Sequence, residues 1–134
     1  MDIRITFPGN KKVNAEVGGH IIATDQPKSL GGDGTAPSPY AHFLASIGTC
    51  AGIYVLSFCR ERGIPTEGIT MLQRNEYTAT ETGTPVLSGI KIEIHLPYDF
   101  PEKYLKTVAR VAEQCAVKKT IQNPPPITVE TIRE

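Results

Sequence analysis

Two cysteines stand where redox chemistry is possible. Cys50 closes the run Gly48-Thr49-Cys50 inside a long apolar pattern of helical spacing. Cys115 follows Glu113-Gln114 at the end of a second helical pattern, and Lys118-Lys119 come soon after it. A thiolate is a strong nucleophile toward peroxide oxygen, and a second thiol within reach traps the oxidised sulfur as a disulfide. If residues 116–121 turn as a short helix, Cys115 stands at its N-terminus, where the helix dipole and the lysine charges favour a thiolate. The competing reading is plain packing, because a free cysteine behaves as a small hydrophobe and sequence does not show proximity. Cys59 points away from Cys50 at about 100° of rotation per residue, and it reads as a packing residue.

Other chemistries find little support. His42 lies two turns before Cys50, about 12 Å along a helix axis, too far for a direct Cys–His pair. His20 and His95 fall on strand patterns, and no His/Cys spacing matches a zinc site. Gly31-Gly32-Asp33-Gly34 lacks the Gly-Lys-Ser/Thr that a phosphate-binding loop needs, so it reads as a flexible connection. There is no Gly-x-Ser-x-Gly elbow.

The bulk numbers narrow the class. The 134 residues fit one domain, 1–134, with enough mass for a core. Basic and acidic residues balance at 14 each, and there is no tryptophan, so a nucleic-acid partner is not expected. Three cysteines do not make a secreted disulfide framework. Met1-Asp2-Ile3-Arg4 lacks a signal-peptide layout, and no apolar run approaches the roughly 20 residues that span a bilayer. A cytoplasmic protein with no membrane partner is the expectation.

The cysteines need elements to position them. Ile3, Ile5 and Phe7 alternate over residues 2–7, Lys12–Val17 returns after the Pro8-Gly9-Asn10 turn, and His20–Thr24 follows Gly18-Gly19. This predicts a meander of three short strands. Ser38 is a natural N-cap and Pro39 a natural first residue for a helix over 39–62, roughly 36 Å long. Gly63 and Pro65 end it. Gly48 and Gly52 would admit another backbone, so the helix is expected at the centre of the fold, packed against a partner subunit. An apolar pocket beside Cys50 would be lined by Phe43 and Tyr54. Residues 69–79 and 86–96 predict a long hairpin with Ile90, Ile92, Ile94 and Leu96 facing inward. A second helix starts near Pro101, residues 116–121 form a short third one, and residues 127–132 form a last strand after Asn123-Pro124-Pro125-Pro126.

These stretches resemble the OsmC/Ohr proteins. The matching residues are Gly31-Gly32-Asp33-Gly34-Thr35-Ala36-Pro37-Ser38-Pro39-Tyr40, Leu44 through Cys50, Leu96 through Pro101, and Cys115-Ala116-Val117-Lys118-Lys119. The order of elements matches over nearly the whole chain. The resemblance implies a single α+β OsmC-like domain with long central helices wrapped by antiparallel sheets in an intertwined homodimer. Active members are thiol-dependent peroxidases that reduce organic hydroperoxides. By position, Cys50 corresponds to the peroxidatic cysteine and Cys115 to the resolving one. A dithiol or a lipoylated protein is the implied reductant, and no metal, flavin or other cofactor is implied.

The chain also departs from the family pattern. Peroxidase members carry a glutamate soon after the proline of the first helix, where this chain has Pro39-Tyr40-Ala41-His42. They also supply an arginine from the early strands or the following loop, and this chain has no arginine between residues 5 and 59. Ala116 stands where many members have proline. The sequence therefore leaves three readings open: a cysteine-based hydroperoxide reductase, a redox-sensing or hydrophobic small-molecule-binding protein on the same scaffold, and a structural dimer with both sulfurs in the core.

Overall fold

Alternating side chains and glycine turns build the first element set. The computed structural model describes Met1–Glu134 as two compact units, Met1–Ser46 and Ile47–Glu134. In the first unit, β1 (Arg4–Gly9), β2 (Lys12–Val17) and β3 (His20–Thr24) form an antiparallel meander. Ile5 pairs with Ala15 across β1–β2, and Val17 pairs with His20 at the tight turn between β2 and β3.

The glycine-rich segment is tightly held, contrary to the expectation of a flexible connection. Asp25 is fully buried and accepts the Gln26 N–H at 2.7 Å and the Thr35 N–H at 3.0 Å. The Asn10 amide donates to Gly31 O at 3.1 Å and to Asp33 Oδ1 at 3.0 Å, and Lys12 pairs with Asp33. Polar residues that look like solvent-facing loop chemistry in sequence are here the internal partners of the backbone. The segment delivers the chain to Ser38, whose hydroxyl accepts the Ala41 N–H at 3.2 Å as an N-cap.

Helix α1 (Pro39–Glu61) starts in the first unit and continues into the second. Gly63, at φ 64°, supplies the left-handed residue that stops it. By length and composition α1 is long and apolar enough to cross a membrane, which corrects the reading of its sequence as too short an apolar run. In this structure its stripe of Ile47, Ala51, Val55, Phe58 and Cys59 is buried in a protein core instead.

The second unit closes on that stripe. Strands β4 (Thr70–Thr78) and β5 (Val86–His95) form the expected antiparallel hairpin, with Thr70 opposite His95 and Gln73 opposite Ile92. A 3-10 turn at Glu102–Tyr104 leads into α2 (Leu105–Ala112), and α3 (Ala116–Gln122) follows. Val108, Ala112 and Phe100 complete the core around Phe58 and Cys59. Full burial of a side chain such as Val108 or Phe58 stabilises the fold by about 1.5–3 kcal/mol. Tyr104 meets Phe58 edge-on at 5.4 Å, and the Arg62 guanidinium lies 3.8 Å over the Phe58 ring. Gly48 and Gly52 face the side chains of Gln73 and Met71 on β4. The close approach is therefore to a sheet.

The strand expected over residues 127–132 does not form. No residue after Gln122 is in a helix or strand, and Ile127 and Val129 are 88% and 93% exposed. Alternation makes a strand only when an edge pairs with it, and Pro124, Pro125 and Pro126 bring no backbone donors to such a pairing.

Candidate functional site: a cysteine-lined apolar cavity

Cys115 is positioned by the reversal between α2 and α3. Gln114 N–H closes on Val111 O at 3.1 Å, ending α2, and Cys115 then adopts the extended backbone of an N-cap residue. Its Sγ accepts the Lys118 backbone N–H at 3.4 Å, taking the place usually filled by a serine or aspartate oxygen. The turn leaves Cys115 only 1% exposed.

Cys115 lines a cavity of about 360 Å³. Three elements create the space. Ile90, Ile92 and Ile94 project from one face of β5 with strand periodicity. Ile47 and Ala51 come from adjacent turns of α1, and Ala109 and Ala112 from α2. Three of these positions are alanines, whose side chains stop at one methyl group and leave volume unfilled between the helices and the hairpin. The result is apolar and at the small end of ligand-pocket size.

Three ionisable residues complete the lining: Lys91, Glu113 and Lys118. Lys91 is already engaged, with its Nζ 3.2 Å from Glu93 Oε1. Arg74 contacts the same oxygen at 3.1 Å, and His95 lies 3.4 Å from the other. Hydrogen bonds from Arg74 and then Lys91 lower the Glu93 carboxyl to about 2. Lys118 is in none of the ion pairs of the structure.

Cys50 is half-buried at the edge of the α1 stripe. Its neighbours Ile47 and Ala51 are in the cavity wall. Helix residues three apart have Cβ atoms about 5–6 Å from one another, so Cys50 lies one helical step from that wall. The structure thus places Cys115 in the cavity lining and leaves Cys50 outside it, on the same helix as the lining residues Ile47 and Ala51, with both thiols free.

Cys59 has the packing role expected of it. It is fully buried, and that burial pushes its thiol up, with Arg62 acting in the opposite sense. The expected lining by Phe43 and Tyr54 is not found in this cavity. Phe43 stacks on Tyr40 at 5.8 Å, and Tyr54 lines a separate groove with Ile53, Ser57 and Arg62.

Sequence reasoning missed Lys91 and Glu113, and it gave Lys118 only a charge that favours a thiolate at Cys115. Strand alternation assigns Lys91 outward, although its long stem lets it flank the cavity as well. Of the histidines, His42 donates from Nε2 to Ala23 O at 2.9 Å, a structural contact to β3.

Comparisons with known proteins agree with this architecture. Residues 32–130 match the family model described as OsmC-like protein. No curated protein matches the chain. Among solved structures, a candidate osmotic stress induced and detoxification response protein from Psychrobacter arcticus superposes with a TM-score of 0.72 at 22% identity, covering 88% of this chain and 85% of that one. An OsmC like protein from Mycoplasma pneumoniae gives 0.70 at 17% identity, covering 92% and 87%. An organic hydroperoxide resistance protein from Elizabethkingia anophelis gives 0.58 at 20% identity, covering 92% and 90%. At these identities the likeness establishes a shared α+β fold.

Proposed function

The chain belongs to the OsmC-like family, and on that footing we propose that it reduces organic hydroperoxides with Cys50 and Cys115 as its redox pair. The observation that carries this reading is the apolar cavity with Cys115 in its wall; Cys50 does not line it, but its α1 neighbours Ile47 and Ala51 do. Such a site favours a peroxide with a hydrocarbon body over hydrogen peroxide, because burying each methylene contributes about 0.8 kcal/mol. One sulfur is oxidised to a sulfenic acid, the peroxide is reduced to an alcohol, and the second thiol condenses to a disulfide with loss of water. A dithiol or a lipoylated protein then returns the pair to its reduced form. Neighbours named as organic hydroperoxide resistance proteins support the substrate class.

The working form in this proposal is an intertwined homodimer. Its support is the apolar face left open on the meander, where Ile5 and Ile22 flank Ala15 and are 52% and 40% exposed. Monomeric soluble proteins rarely leave large contiguous apolar patches exposed.

The test is consumption of cumene hydroperoxide with dihydrolipoamide as reductant, in the parent and in Cys50→Ser and Cys115→Ser. Turnover in the parent, its loss in both variants, and a Cys50–Cys115 disulfide found by mass spectrometry are expected. Undiminished turnover in either variant would remove that cysteine from the mechanism.

A second reading is favoured by one observation: the first turn of α1 carries no acidic residue where peroxidase relatives have glutamate. On it, the cavity binds an apolar ligand or senses oxidant without turnover. A thermal-shift series with apolar ligands and oxidants separates the two readings, since a ligand that binds only the folded protein raises its melting temperature.

A further inference from the structure

The cavity lining includes a lysine that the proposed reaction can use. We propose that Lys118 is a catalytic residue, the proton donor to the alkoxide that leaves when the peroxide O–O bond breaks. This inference rests on the peroxidase reading above and assigns one group within it.

The argument starts from charge balance. A sulfur lone pair forms an S–O bond to the outer peroxide oxygen, and the O–O bond breaks. The bonding pair departs on the inner oxygen as an alkoxide. Sulfur is oxidised and the peroxide reduced, and one proton must reach the alkoxide to make the alcohol. In an apolar cavity, water is a poor source of it and unneutralised charge is costly. This chain has no arginine between residues 5 and 59, and the first turn of α1 carries no acidic residue. A donor must come from elsewhere in the fold.

Lys91 and Lys118 are both among the lining residues, and their surroundings separate them. Lys91 is bound to Glu93, which Arg74 also holds. Lys118 has no carboxylate partner and its side chain is only partly exposed. Its position is tied to the sulfur, because its own backbone N–H is the donor to Cys115 Sγ at 3.4 Å. The α3 cap that seats Cys115 therefore also sets where the Lys118 side chain begins. The assignment concerns the leaving oxygen, and it holds with either sulfur of the pair as the attacking one.

Leaving-group chemistry supplies the test. An alkyl hydroperoxide releases a strongly basic alkoxide that needs the proton, whereas a peracid releases a stable carboxylate that does not. The experiment measures kcat/KM for cumene hydroperoxide and for peracetic acid in the parent, Lys118→Met and Lys118→Arg. Lys118→Met is expected to lose roughly 100-fold with cumene hydroperoxide and to change by less than about threefold with peracetic acid. Lys118→Arg keeps the charge but cannot release a proton, and it is expected to fall selectively in the same sense. Equal losses on both substrates, or no loss on either, would overturn the assignment while leaving the peroxidase reading intact. A parent that reduces neither substrate removes that reading, and this assignment with it.

Discussion

Thr35 grips the buried carboxylate of Asp25 with two donors, its backbone N–H at 3.0 Å and its hydroxyl at 2.6 Å, both to Oδ2. Asp25 N–H in turn donates to Pro37 O at 3.2 Å, so the clasp closes the segment that leads into α1. The Thr35 hydroxyl, then the Thr35 N–H, hold the Asp25 carboxyl well below the usual carboxylate range.

The clasp makes a pH prediction. A lowered folded-state value means that the ionised form favours the folded state, so its contribution is fully present above the unfolded aspartate value of about 4. It is lost as pH falls below that and through the folded value. A parent whose melting temperature declines below about pH 4, and an Asp25→Asn variant with a shallower decline, are expected. Thr35→Val should lower the melting temperature at pH 7 by about 5 °C, with Thr35→Ser close to the parent. Identical melting in Thr35→Val and the parent would show that the hydroxyl does not hold the loop.

Gly32 marks the tightest backbone approach in the same loop. A Cβ there would lie 1.9 Å from Gln26 O, which already accepts the Gly34 N–H at 3.1 Å. Neither partner is a side chain that can swing aside. Gly32→Ala is expected to destabilise the chain by about 1–3 kcal/mol, measured by urea unfolding. A stability equal to the parent would mean that the loop rearranges freely.

The three thiols should react in order of their surroundings. Iodoacetamide is expected to modify half-buried Cys50 first and buried Cys115 more slowly, with Cys59 modified only in denaturant. Peptide mass spectrometry reads the order. Cys59→Ala should leave peroxide turnover unchanged, whereas Cys59→Ser should destabilise by about 1–3 kcal/mol because it buries a hydroxyl in an apolar core. Fast labelling of Cys59 in the native protein would contradict its place beside Phe58 and Val108.

Much of the local structure was readable in the residues themselves. Helix α1 starts at Pro39 after its Ser38 cap and stops at Gly63, and the β4–β5 hairpin falls where alternation places it, because caps, turns and periodicity act over a few residues. The motifs around Cys50 and Cys115 pointed to the family for the same reason. Tertiary structure alone decided the rest. Asp25 looks like one more loop residue until Thr35 closes on it, and residues 127–132 have strand alternation but no strand to pair with. The cavity is the clearest case. Ile92, Ala112, Cys115 and Lys118 are unremarkable one by one, and their meeting depends on long-range packing of β5, α1 and α2, which no local pattern encodes.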